Sequence, residues 1–297
     1  MKNSAKITFF LRFVGNWRDL LFFIVRQAQI TQICWKFAFS CSIATYMRTP
    51  HPSYTLGFFC FFLMLLLVFG QSGCQKDQIP PTGQVVFRFE NTAAGNVLEY
   101  GKIQYRNTIG NLFSVNALKY YVSDFELVAE DGRSYEHHNC DLIDVFDPES
   151  LVVRADSVPN GRYVKMRFYV GIDSVRNFTD KQKGDLDPLY GMFWSWTSGY
   201  IFYKHEGRFV NTAGDTLNLI YHLGNNPART AVEIPLTNFE VKANEQPLTL
   251  RFDVSELYGA FDMEEVGAAH SSGELKDQQW TALLKEGFPR AFKIVPQ

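Results

Sequence analysis

Cysteine is scarce in this chain, acidic charge is almost missing from the N-terminal quarter and outnumbers basic charge after it, and no hydrophobic run is long enough to cross a bilayer. Of five cysteines, Cys34, Cys41 and Cys60 precede position 74, so only Cys74 and Cys140 remain downstream. That excludes a disulfide framework and a CxxC metal or redox site, and Cys140 is expected as a buried small hydrophobe. Seven of the 29 Lys and Arg and one of the 31 Asp and Glu lie before Cys74, which leaves 22 against 30 and a net charge of −8. An acidic domain of this kind is no nucleic-acid binder, since that function needs a basic surface. GxGxxG, the P-loop, HExxH and GxSxG are all missing. Carboxylates are plentiful but unpatterned, so no glycosidase pair stands out, and no repeat of fixed period is found. The expectation is a protein that is not an enzyme.

What is present begins at the N-terminus. Gly57 to Gly70 (GFFCFFLMLLLVFG) has the length of a signal-peptide h-region. Even the run from Leu56 to Gly70 falls short of the roughly 20 residues of a membrane span. Arg48 precedes it, and Gln71-Ser72-Gly73-Cys74 closes it. Small residues before a cysteine resemble a bacterial lipobox, with Gln71 where that pattern usually has Leu. The motif implies cleavage before Cys74 and lipid on its thiol and new amino terminus; a spanning anchor is the alternative. Residues 1–46 scatter Arg12, Arg18, Asp19, Arg26 and Lys36 through apolar sequence, which spoils a clean span. They are read as an over-called extension of the reading frame ahead of a start at Met47, the alternative being a second, poor membrane segment. The organisation is thus 1–46 extension, 47–73 lipoprotein signal peptide, 74–83 tether and 84–297 a single domain.

Strand patterns fill that domain. Val85, Phe87 and Phe89 form one apolar face. Leu118–Val128 is a second run, ended by the turn dipeptide Asp131-Gly132. Val164, Met166, Phe168 and Val170 alternate with Lys165, Arg167 and Tyr169, and Leu248, Leu250, Phe252 and Val254 with Thr249, Arg251 and Asp253. Residues 216–223 and 230–239 are further candidates. Trp280, Leu283 and Leu284 share a face of a C-terminal helix. Short strands between Gly, Asn and Asp turns predict an all-β fold, an antiparallel β-sandwich-like single domain with a short C-terminal helix.

The segment Gly191–Gly207 (GMFWSWTSGYIFYKHEG) holds Trp194 and Trp196, with His205 near its end and His222 following in Tyr-His-Leu-Gly. If 200–206 and 216–223 are adjacent strands of a hairpin, the two imidazoles can meet at about 5 Å between Cβ atoms. Two imidazoles with a soft third group suit copper, and Met192 is a candidate soft ligand. The bland alternative is a Trp-rich core segment with hydrogen-bonded structural histidines. His137-His138 is read as a solvent-facing loop, because neighbouring side chains of a strand point oppositely.

The run GMFWSWTSGYIFYKHEG followed by YHLG resembles the MbnP family, copper-binding proteins associated with methanobactin operons. ALKYYVSDFEL (117–127), GRYVKMRFYVG (161–171) with Asp173, and Gly184-Asp185-Leu186-Asp187-Pro188 agree with it, and the likeness covers nearly all of 84–297. The resemblance implies copper as cofactor and a di-haem, MbnH-like peroxidase partner that oxidises a Trp to kynurenine. That modification would fall on Trp194 or Trp196, with His222 matching the family's HLG histidine. The four-Cys pattern of many proteobacterial members is missing, and the lipobox and tether resemble the Bacteroidetes branch instead. The expected protein is an outer-membrane lipoprotein of the cell envelope, on its periplasmic or surface face. The alternative is a surface lipoprotein that stacks glycans on a Trp194/Trp196 platform.

Overall fold

Phe87, Phe125 and Phe168 stack in sequence, with ring centroids 4.3 and 5.1 Å apart, and this stack is the seam between two β-sheets. The structure is a computed structural model, and it describes residues 81–296 apart from 180–181, 196, 260–261, 268 and 272–277. The proposed extension, the signal peptide, Cys74, most of the tether and Trp196 lie outside the described residues.

The domain opens with β1 (Thr82–Ala93), which takes in the last two residues assigned to the tether, and β2 (Asn96–Val97). Strands β3 (Tyr105–Arg106), β4 (Leu112–Ala129), β5 (Ser134–Asp144), β6 (Val152–Pro159) and β7 (Gly161–Val170) follow. After the helix Ser174–Phe178 come β8 (Phe193–Ser195), β9 (Gly199–Val210), β10 (Thr216–Gly224), β11 (Thr230–Val241) and β12 (Glu245–Asp253). Short helices Val254–Tyr258 and Met263–Val266, β13 (Ala269–Ser271), the helix Gln278–Ala291 and β14 (Phe292–Ile294) close the chain.

The smaller sheet runs β14-β12-β1-β2, with β6 also on β1; the larger runs β11-β7-β4-β9-β10-β13, with β3 and β5 also on β4. The architecture is the expected sandwich with a C-terminal helix. It is not antiparallel throughout: β1 pairs parallel with β12, and β10 with β13. Sequence periodicity carries strand identity but not strand direction, so these two pairings had no local signal.

The alternating patterns set the core. Leu248, Leu250, Phe252 and Val254 are all buried, as their spacing requires. Phe252 stacks on Phe292 at 4.6 Å and meets Tyr120 of the larger sheet at 4.9 Å. In β7 the pattern holds only in part. Met166, Phe168 and Val170 are buried, but Val164 is 40% exposed and Tyr163 takes its place inside. The cause is a bulge: Val128 pairs with Lys165 but Ala129 with Tyr163, so one residue is skipped and every side chain beyond it changes face. The helix Gln278–Ala291 buries Trp280, Leu284 and Phe288 against the domain, with Leu283 partly buried beside them. His137 and His138 belong to β5 rather than to a loop, with the His138 side chain 70% exposed.

Candidate metal centre

The β9–β10 hairpin decides the geometry of the candidate site. Its loop closes with Asn211 N–H donating to the Asp215 carbonyl at 3.0 Å, which puts Val210 opposite Thr216. From there the register runs to Tyr221 opposite His205 and His222 opposite Lys204. Directly opposed residues share a sheet face. His205 therefore points with Tyr221 into the sandwich, and His222 points with Lys204 to the outside. The predicted meeting of the two imidazoles does not occur, because the pairing is one residue away from the one that a shared site needs.

His205 is fully buried and both ring nitrogens are used. Nε2 lies 3.0 Å from the Ser114 carbonyl, which only accepts, so Nε2 carries the hydrogen and Nδ1 accepts from the Tyr258 hydroxyl. Burial drives its pKa down to about 4, against a weaker upward pull from the Ser114 bond, so the ring is neutral at ordinary pH. Gly207, two residues along β9, is needed for this fit. A Cβ there would collide with the Ser114 oxygen and stand 3.3 Å from His205 Nε2. A metal at either nitrogen of His205 would displace one buried hydrogen bond, at Nδ1 leaving the Tyr258 hydroxyl without its acceptor, and full burial leaves no room for it, so His205 is a structural residue.

His222 sits in a polar row that crosses the outer face of five strands: Asp144, Lys119, Lys204, His222 and Ser271 are successive cross-strand partners. Its half-buried ring donates from Nε2 to Glu206 Oε1 at 3.0 Å, and Lys204 holds the same carboxylate at 3.1 Å. Burial pulls the His222 pKa down, with Lys204 adding to that effect and Glu206 opposing it. Burial alone would raise the Glu206 pKa, but Lys204 and His222 outweigh it and lower it. A carboxylate on one ring nitrogen fixes the tautomer and leaves Nδ1 as the nitrogen for a ligand, the usual outer arrangement of a metal-binding histidine.

The segment 184–195 packs over this face. Tyr121 and Tyr200 donate their hydroxyls to the carbonyls of Asp185 and Leu186, at 2.9 and 2.6 Å. Lys119 and Lys204 reach the carbonyls of Tyr190 and Gly191, both at 3.4 Å. Asn177 anchors the turn after the tryptophans. It accepts from Tyr200 N–H at 2.8 Å, and it packs so closely that a Cβ on Gly199 would collide with its Oδ1. The Trp194 ring leans on Gly224, two residues beyond His222, where a Cβ would come within 2.7 Å of the indole. Trp194 thus covers the end of β10, two residues along the chain from His222. Met192 is fully buried in the core, away from the role of soft ligand. Among the described residues no group of three or more His, Cys, Asp or Glu is placed to hold a metal ion.

Glu206, Lys204, Asn177 and Gly224 were not singled out in the sequence. Glu206 follows His205 directly, yet its bearing on His222 shows only once the register is known.

These features define a class: a two-sheet β-sandwich protein with a carboxylate-oriented histidine on the outer face of its larger sheet and a tryptophan over the end of the same strand. A sequence model of the MbnP family matches residues 82–273, and the chain belongs to that family. Among solved structures, MbnP from Methylosinus trichosporium is similar to this chain, at 18% sequence identity and a TM-score of 0.47, covering 71% of this chain and 97% of that one. No curated protein matches the chain.

Proposed function

We propose that this protein binds copper at the outer face of the larger sheet, with His222 Nδ1 as a ligand, and that it binds rather than transforms its cargo. The observation that carries this reading is the Glu206–His222 pair on the strand whose end Trp194 covers, in a chain of the MbnP family. His222 fits copper as a neutral imidazole ligand. The unmodified indole does not, because its N–H is a donor without a free lone pair in the ring plane. Conversion of Trp194 or Trp196 to kynurenine, by a di-haem MbnH-like peroxidase partner, would supply an aromatic amine and a ketone as further donors. His205 takes no part in this site. The protein acts at the outer membrane, held by lipid on Cys74.

Metal analysis of the full chain tests the reading. Wild-type protein should take up copper, and His222→Ala should lose most of it while keeping its fold. Unchanged copper stoichiometry in that variant overturns the assignment. Peptide mass spectrometry of protein from its native host should find the kynurenine mass shift on Trp194 or Trp196. Two intact indoles with full copper binding would discard the modified ligand and keep the histidine. A glycan platform is disfavoured by the way Trp194 leans on Gly224, which covers part of the ring that a sugar would need.

A further inference from the structure

The inner face of the same hairpin carries a second group of polar side chains, which copper binding does not use. Tyr203, Tyr258 and His205 are all fully buried. The Tyr203 and Tyr258 hydroxyl oxygens are 2.9 Å apart, and the Tyr258 hydroxyl bonds His205 Nδ1. The hydrogens can be placed. His205 Nε2–H is committed to the Ser114 carbonyl, so Nδ1 accepts from Tyr258, and the Tyr258 oxygen in turn accepts from Tyr203.

We propose that Tyr258 is a redox-active tyrosine, the place in the domain where a one-electron hole comes to rest, with His205 as its proton acceptor. A phenol that loses an electron becomes a very strong acid, and a buried phenol can release its proton only to a base already in contact. Tyr258 has one. Tyr120, Tyr121, Tyr200 and Tyr221 give their hydroxyl hydrogens to oxygens of Asn91, Asp185, Leu186 and Gly267, which are poor bases. The buried His205 ring is neutral at ordinary pH and so holds a lone pair for the transfer.

A route from the outer face exists. Tyr221 is the chain neighbour of His222 and points to the opposite face, where its ring lies 5.8 Å from that of Tyr258. Tyr221 also meets Trp280 at 5.6 Å, and Trp280 stacks on His270 at 5.3 Å. Rings this close pass a hole readily. The oxidant is of the hydroxyl-radical class; a copper(I) ion held at His222 would supply it from hydrogen peroxide, one electron reducing the peroxide to hydroxide and a hydroxyl radical and leaving copper(II). That source rests on the copper reading; the property of Tyr258 does not. The hydroxyl radical takes one electron from the aromatic chain and one proton from solvent and becomes water. Tyr258 supplies the electron through Tyr221. Its O–H bond breaks, an N–H bond forms at His205 Nδ1, and a neutral phenoxyl radical stands beside an imidazolium. A thiol or ascorbate-class reductant returns the electron, and the proton moves back. The device would draw oxidising equivalents away from the copper ligands.

The test uses metal-free full-length protein and photo-oxidised tris(bipyridine)ruthenium with persulfate, read by freeze-quench EPR. The expected result is a long-lived neutral tyrosyl radical in wild type that is lost in Tyr258→Phe and kept when exposed Tyr100 is changed to Phe. A long-lived signal unchanged in Tyr258→Phe overturns the proposal. If that variant does not fold, wild type labelled with ¹⁵N-histidine decides: an imidazole nitrogen coupling on the radical supports the pair, and its absence overturns it. Copper-loaded protein with peroxide should give the same radical. Failure there, with the ruthenium radical intact, counts against the copper source and leaves Tyr258 standing.

Discussion

His205 and His222 lie on neighbouring strands, one position out of register, and that single position separates two kinds of histidine. On the inner face, His205 has both nitrogens bonded, its ring enclosed by Phe113 and Tyr258, and its proton excluded by burial. On the outer face, His222 is bonded among the described residues at one nitrogen, by a carboxylate that a lysine also holds. One ring completes a core, and the other is presented for use. Side-chain chemistry was the same in both; the face of the sheet made the difference.

The comparison can be broken at four points, in falling order of effect. Phe252→Ala should remove about 3–5 kcal/mol of stability, the usual range for a buried Phe, in urea denaturation. A comparable loss from an outer-face substitution would mean that the faces are misassigned. Next, the low folded-state pKa of His205 makes stability depend on pH. The unfolded chain, with a histidine pKa of about 6.5, takes up a proton before the folded one does. This contribution is fully present above that pH and is lost as pH falls towards about 4, where His205 itself titrates. The loss is on the order of 3 kcal/mol across that window. His205→Asn, less stable at neutral pH, should lack that part of the slope; parallel pH profiles would show that His205 is not enclosed. Third, Glu206→Gln should weaken copper binding roughly 10- to 100-fold, the usual effect of losing an orienting carboxylate. An unaltered titration by calorimetry would remove Glu206 from the site. The smallest effect is on stability in His222→Ala, at about 1 kcal/mol or less for a half-buried surface position. A loss as large as that of Phe252→Ala would make His222 a core residue after all.

Much of the fold was legible because apolar alternation is a physical requirement of a half-buried strand. The Leu248-to-Val254 face and the helix carrying Trp280 and Leu284 needed no other information. What escaped were features set by contacts distant in sequence or by a single inserted residue. A bulge near Ala129 turned Val164 outward, and nothing in the β7 sequence announces it. The loop Asn211–Asp215 set the hairpin register, and a shift of one would have put His205 and His222 on one face. The WxWxxGY and HLG runs marked the correct region of the site, and the paired Glu206 emerged only with the register. Tyr258 gave no sign at all, since a tyrosine in Ser-Glu-Leu-Tyr-Gly reads as an ordinary helix end.

The parallel pairing of β1 with β12 has a bearing on how this domain comes to exist. β1 lies between β12 on one side and β2 and β6 on the other, and its contact with β12 joins Gln84 to Glu245. A chain made from its N-terminus onward holds its opening strand half-paired until nearly all the rest has emerged. The loop-closure entropy of so distant a contact is met late. Until then β1 offers an open row of amide and carbonyl groups, which is the hazard of any unpaired strand edge. The smaller sheet is thus a closure made with the last strands to arrive, and a chain cut short before Glu245 would lack both the strand that seals the sandwich and the β13 partner of His222.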